Sequence, residues 1–344
     1  MTSNPEFDVS PSDEGSVSSY IRRQLFYTPS IVTGVKLDGK TAIVTGSSSG
    51  IGLETSRQLL DLGLTKLILA VRNEQKGNAA VSELSRGRSL PENAIEVWLL
   101  DYSSYDSIIA FTQRTRSLER IDIVVLNAAI MPVKQTLNPK TGHDESVQVN
   151  YLGTALLTIL MAGVIKDKPE SQPARITVTG SDVAAWTKFA EQDNDPLLPA
   201  LDKPDGWNFT DRHFVTKLLY QLFLHKLEPL VPASVAVINV ATPGMVHDSE
   251  LDRHAAVGVL GKTVAMFQRR IGYTSSVGAR HITDAAVKHG SESHGQYLSQ
   301  QRVKPMAPLV YTYSGEKVAE RLWKETMEEF QFANVQEILA SLKK

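Results

Sequence analysis

From Lys40 onward, short apolar runs alternate with longer stretches of helical periodicity, and this alternation constrains the fold more than any other feature of the chain. The runs are Thr41–Thr45, Lys66–Val71, Ile95–Leu100, Asp122–Leu126, Arg175–Thr179 and Ser234–Val240. They are rich in β-branched residues and almost continuously apolar, which fits strands buried on both faces. Ile51–Leu62, His143–Met161 and Asp211–Leu227 read as helices between them. A strand–helix–strand order of this kind implies α/β architecture: one doubly wound parallel sheet with helices on both faces. The 344 residues suffice for one large domain of this type, and neither an internal repeat nor a second domain is evident. Residues 1–38 form a Ser-rich N-terminal extension without a clear period, expected to be partly disordered, with Ile21–Val35 able to pack on the surface. The domain itself is expected to span 39–344.

Composition narrows the partners. A net charge of −2 argues against nucleic acid, which requires a basic field. Without cysteine there are no disulfides and no thiolate metal sites. Met1–Tyr20 has neither the basic start nor the apolar run of a secretory signal. No run is expected to reach the roughly 18 apolar residues of a membrane span. The longest candidate, Ala255–Phe267, is interrupted by Lys262 and reads as a helix over a pocket. The expectation is a cytoplasmic protein with no membrane span. His143-Asp144 and His247-Asp248 are sequence neighbours whose side chains diverge, so no metal site is expected. Asp193, Asp195, Asp202 and Asp205 are scattered and read as solvated acids.

Thr45-Gly46-Ser47-Ser48-Ser49-Gly50-Ile51-Gly52 joins the first strand to the first helix. Glycines there let the backbone approach a pyrophosphate, and the helix N-terminus offers free N–H donors. The spacing resembles the glycine motif of the short-chain dehydrogenase/reductase family. Further segments carry the same resemblance in the same order. Leu100-Asp101-Tyr102-Ser103 is similar to the turn beside the adenine. Asn127-Ala128-Ala129 is similar to the family's Asn-Ala-Gly, with Ala129 for glycine. Pro243-Gly244-Met245-Val246 is similar to the turn bordering the nicotinamide, with Asp248 where the family has threonine. Leu25–Pro29, Asp101–Tyr105 and Trp186–Phe189 resemble a branch of fungal reductases related to retinol dehydrogenases and associated with secondary metabolism. The resemblance implies a Rossmann-type single domain. Its cofactor residues would be Gly46, Ser48, Ser49, Gly50, Ile51, Gly52, Arg72, Asp101, Tyr102, Asn127, Ala128, Ala129, Lys217, Pro243, Gly244 and Val246.

The family transfers a proton through an Asn–Ser–Tyr–Lys tetrad. The matching positions are Asn150, Ser181, His213 and Lys217, so histidine stands where the tyrosine is expected. His213 and Lys217 lie four residues apart, on one helical face. Three readings of His213 stay open. It serves as acid in a retuned NADPH-dependent carbonyl reduction or alcohol oxidation. It acts as base or hydrogen-bond donor in a non-redox isomerase, cyclase or dehydratase. Or it fills space in a non-catalytic NADP-binding protein. Insertions at about 182–212, rich in Trp186, Phe189, Trp207 and Phe209, and at about 245–273 read as lids, implying a bulky apolar small-molecule substrate. Whether copies associate as a homodimer stays open.

The second strand ends Val71-Arg72-Asn73, with a cation and no acid, which predicts NADPH over NADH. Arg72→Ala is expected to collapse the preference, measured as the ratio of the two dissociation constants by nicotinamide fluorescence. An unchanged ratio would refute the assignment.

Overall fold

The computed structural model describes residues 7–249 and 269–343. Eight strands form one sheet in the order β3-β2-β1-β4-β5-β6-β7-β8. They are β1 Thr41–Thr45, β2 Lys66–Val71, β3 Ile95–Leu99, β4 Ile123–Leu126, β5 Ala174–Thr179, β6 Ala236–Ala241, β7 Tyr297–Ser299 and β8 Arg302–Lys304. β1 to β7 run parallel, and β8 returns antiparallel to β7. The doubly wound parallel sheet expected from the apolar runs is therefore the fold. β7 and β8 escaped notice because three residues each are too few to display a period.

Alternation along each strand supplies both layers. Ile43, Ile68, Val124, Ile176 and Ile238 face one core with helices α5 (Tyr105–Thr115), α6 (Glu145–Lys166) and α8 (Phe209–Leu227). Ala42, Val44, Leu67, Leu69 and Val125 face the other with α3 (Gly50–Asp61), α4 (Glu74–Ser85) and α9 (Ser275–Val287). The α6 helix is long and apolar enough to cross a membrane by composition, yet 94% of its most apolar window is buried inside the fold. It is a core helix.

Residues 7–38 depart from the expected loose extension. Ser10 and Ser16 cap two short helices, α1 (Pro11–Glu14) and α2 (Val17–Phe26). Val32 and Leu37 join the second core. The α2 helix is turned with its polar side inward: Tyr20 and Gln24 are buried while Val17, Leu25 and Phe26 are exposed. Its attachment depends on hydrogen bonds to partners more than 150 residues away, which no local pattern announces.

The 182–212 insertion is tied down through its middle, at Leu197, Leu198 and Asp202. α7 (Leu197–Leu201) is capped by the Glu325 carboxylate from α10 (Tyr313–Glu329), which accepts from Leu197 N and Leu198 N at 2.7 Å each. Asp202, expected to be solvated, instead accepts from Asp144 N at 2.7 Å and pairs with His143 Nδ1 at 2.9 Å. The Asp202 and Glu329 carboxylates raise the His143 pKa to about 9 against the cost of burial. The apolar stretch Ala255–Phe267 lies wholly outside the described residues, as does most of the second insertion. Glu325→Ala leaves two buried N–H groups without an acceptor. It is expected to lower stability by roughly 1–3 kcal/mol in urea denaturation; an unchanged midpoint would show the cap to be dispensable.

Candidate active site

Four strand ends meet at the C-terminal edge of the sheet, where open α/β folds bind ligands. β1 runs into the glycine turn. Gly46 has φ +62°, and a Cβ there would lie 2.9 Å from Ala128 Cα. A Cβ at Gly52 would lie 2.5 Å from the Gly46 carbonyl oxygen and 2.7 Å from Asn127 Nδ2. Only glycine lets α3 start this close to β1. Ser49, at the N-cap, makes no side-chain capping bond, so the first N–H groups of α3 are left for another acceptor. Ser48, Ser49, Gly50 and Ile51 are all half-buried around this turn.

The buried Thr45 hydroxyl fastens the turn to its neighbours. It accepts from Asn127 N at 2.9 Å, Ala128 N at 3.1 Å and the Tyr102 hydroxyl at 2.9 Å. Tyr102, expected at the cofactor, thus has a buried side chain that braces β1 from below. Asp101 uses Oδ1 to accept from Ser103 N and Ser103 Oγ, shaping its own turn. Arg72 is exposed at the end of β2.

Asn150 sits in a π-helical turn, Gln148–Gly153, within α6. Its amide accepts from Ile130 N at 2.8 Å, and donates to Ile130 O at 2.9 Å and Thr216 Oγ1 at 3.2 Å. It therefore clips the loop after β4 to α8. Lys217 Nζ donates to Thr179 O at 2.9 Å, at the end of β5, and Thr179 Oγ1 donates to Asn127 Oδ1 at 3.2 Å. Ser181, two residues on, caps a short turn, accepting from Val183 N at 3.4 Å. Tyr151 and Tyr220 are structural: their hydroxyls bond Thr326 at 2.6 Å and Thr158 at 2.9 Å.

His213 and Lys217 share the inner face of α8. Burial drives the His213 pKa down to about 3, helped by the Lys217 charge and opposed by the Ile130 backbone. The imidazole is neutral at neutral pH, and its buried Nδ1 has no protein partner. Burial also pulls Lys217 down to about 8.

At the end of β6, Pro243 and Val246 are buried and Gly244 has φ +70°. Asp248 Oδ1 accepts from Ser275 N at 2.7 Å and Ser275 Oγ at 2.6 Å, so it anchors the start of α9. Sequence reasoning passed over Thr45, Thr179, Asp182 and Thr242, whose bonds bind the strand ends together. Only the position of Asp182 next to Ser181 hinted at any of them. Among the described residues no cluster of His, Asp and Glu is suited to a metal ion.

A short chain dehydrogenase family profile matches residues 40–190, which carry the glycine turn, Asn127, Asn150 and Ser181. The chain is 42% identical to Short-chain dehydrogenase fogG of Aspergillus ruber over 98% of this chain and 99% of that one. It is also 42% identical to Short chain dehydrogenase/reductase mfmJ of Annulohypoxylon moriforme, over 89% of each. The chain belongs to the short-chain dehydrogenase family. Among solved structures, a protein of Beutenbergia cavernae with NADP bound at low occupancy superposes with a TM-score of 0.56 at 17% identity, over 77% of this chain and 96% of that one. That likeness concerns the fold. Family membership makes the chain an oxidoreductase-type enzyme of this Rossmann-like fold and explains why its site gathers at the C-terminal sheet edge.

The depressed histidine has a thermodynamic consequence. A histidine whose folded pKa lies below its unfolded value binds fewer protons when folded. Its contribution to stability is present above about pH 6.5 and is lost as pH falls toward 3. Between pH 7 and pH 5, wild type should lose about 2 kcal/mol more than His213→Phe in urea denaturation. Parallel losses in the two proteins would show that His213 titrates normally.

Proposed function

We propose that the protein is an NADPH-dependent oxidoreductase that reduces a carbonyl, or oxidises the corresponding alcohol, on a bulky apolar metabolite of fungal secondary metabolism, with His213 in the position of the family's tyrosine. The observation that carries this reading is the convergence on one sheet edge of the glycine cradle with Lys217, Ser181 and His213. The residues fit the cofactor. The start of α3 lacks a side-chain cap, Gly52 leaves no room for a Cβ, and the exposed Arg72 suits a 2′-phosphate. NADPH, when bound, supplies the hydride.

The chain's own residues handle the proton. The Ser181 hydroxyl, at the end of β5, polarises the substrate oxygen. The neutral His213 ring offers one N–H and one lone pair, and is shorter than a phenol. It holds a water on the substrate oxygen rather than acting as a cationic acid, and that water gives the oxygen its proton as the hydride arrives, with protonated Lys217 and bulk solvent replacing it. Lys217, with its pKa near 8, is largely protonated at neutral pH and lies one helical turn away to hold charge beside the ring. Asn150 keeps the wall in place through Ile130. The substrate side includes Trp186 packed edge-on against Phe214, the residue after His213, which favours an apolar, aromatic-sized ligand. Phe189 and Trp207 serve structure instead: the first is 2% exposed, and the second donates to Asp144 Oδ2 at 2.9 Å.

The neutral imidazole with its unpartnered Nδ1 also favours a second reading, in which His213 takes a proton in an isomerisation, cyclisation or dehydration without net redox change. Titration with NADPH followed by substrate screening separates the two. A retuned reductase consumes NADPH, loses at least tenfold in turnover in His213→Ala with little change in NADPH affinity, and retains or gains turnover in His213→Tyr. Product formation without NADPH consumption would overturn the redox reading. NADPH binding with neither activity would indicate a binding protein.

A further inference from the structure

We infer that the N-terminal arm is part of the active site, with Arg23 and Gln24 of α2 as positioning residues that hold the ends of β5 and β6 in working geometry. The inference rests on reading Ser181 and the Pro243-Gly244 turn as borders of the reaction centre. Asp182, the residue after Ser181, bridges the two strand ends. Its Oδ2 accepts from Thr242 Oγ1 at 2.6 Å, and that hydroxyl oxygen accepts from Gly244 N at 3.2 Å. Its Oδ1 accepts from Arg23 Nη2 at 2.9 Å. The guanidinium is held in turn by Glu14, through the carbonyl oxygen at 3.0 Å and Oε2 at 3.2 Å. Arg23 and Asp182 have side chains only 12% and 7% exposed, so the link is shielded from solvent.

Gln24 holds the next segment. Its Oε1 accepts from Met245 N at 2.9 Å, and its Nε2 donates to Met245 O at 3.3 Å and Ile271 O at 3.1 Å. One buried amide thus fixes the chain immediately after Gly244. A third tie reaches the segment beyond Ser181: Trp186 Nε1 donates to Gly15 O at 2.8 Å, and its ring meets Tyr20 at 4.8 Å.

A helix serving only as cover would bury its apolar stripe. α2 buries Tyr20 against Trp186 but leaves Val17 and Leu25 about half exposed while the polar Gln24 is buried. Buried ion pairs cost desolvation and are weak sources of net stability, but the planar guanidinium fixes direction. The arm therefore contributes geometry, delivered to the two segments that border the reaction centre.

The test uses the full-length protein with Arg23→Lys, Arg23→Gln and Gln24→Ala. Three readouts are hydrogen exchange of peptides covering 181–186 and 242–247, NADPH affinity by fluorescence, and steady-state turnover. Folded Arg23→Gln is expected to exchange at least tenfold faster in both peptides, with β1 and α3 unchanged. NADPH affinity should stay within threefold while kcat falls tenfold or more, since a displacement of about 1 Å can cost about a hundredfold. Arg23→Lys should recover part of the loss. Gln24→Ala should loosen 242–247 alone. If Arg23→Gln does not fold, Arg23→Lys and Gln24→Ala carry the same comparison. Wild-type exchange and wild-type kcat in the folded variants would overturn the inference. A wild-type protein that turns over no carbonyl with NADPH would count against the redox reading, while exchange would still decide the role of the arm.

Discussion

The approach of α3 to the end of β1 governs the rest of the molecule. Gly52 sits where any side chain would meet the Gly46 carbonyl oxygen, and Gly46 sits where one would meet Ala128. That contact brings the start of a helix, with its unfilled N–H groups, to the centre of a parallel sheet. Thr45 then accepts from β4's loop and from Tyr102, so the same point orders the neighbouring strand end and the turn after β3. The glycine turn, Asn127, Thr179 and Lys217 are consequently one bonded assembly.

Burial decides the electrostatics of that wall. His213 and Lys217 are adjacent on α8, and removing both from water disfavours charge on each, so the histidine becomes neutral and the lysine titrates near 8. A tyrosine there would enter with a neutral resting state and a hydroxyl reaching further. The imidazole enters neutral as well, but shorter and with a free lone pair. This difference, more than the change of residue type, separates a retuned reductase from a catalyst of non-redox proton transfer.

The sequence was most legible where function forces local chemistry. β1 and β2 begin and end where their apolar runs do, and the glycine turn declares itself by its place between strand and helix. Four further runs shifted by a residue or two at their ends, because edge residues pair by tertiary contact rather than by pattern. Tyr102 was expected beside the adenine from the resemblance of its turn; its ring is buried and its hydroxyl donates to Thr45, a contact the sequence did not announce. Asp202 looked solvated because it is one of four scattered acids in a loop; its partner is His143, 59 residues away.

What the sequence determined by itself was the parallel sheet and the glycine turn, which follow from short-range periodicity and from a place between strand and helix; Asn150, Ser181, His213 and Lys217 were legible only through their resemblance to a family tetrad. What only the tertiary structure decided was who holds these groups in place. The Arg23–Asp182 pair spans 159 residues and the Gln24–Met245 bonds span 221. Such contacts leave no periodic trace, because they depend on the direction in which the folded sheet points its strand ends. The protonation of His213 belongs to the same class: its residue type permits charge on the acid side of neutrality, and the dry interior beside Lys217 removes it there.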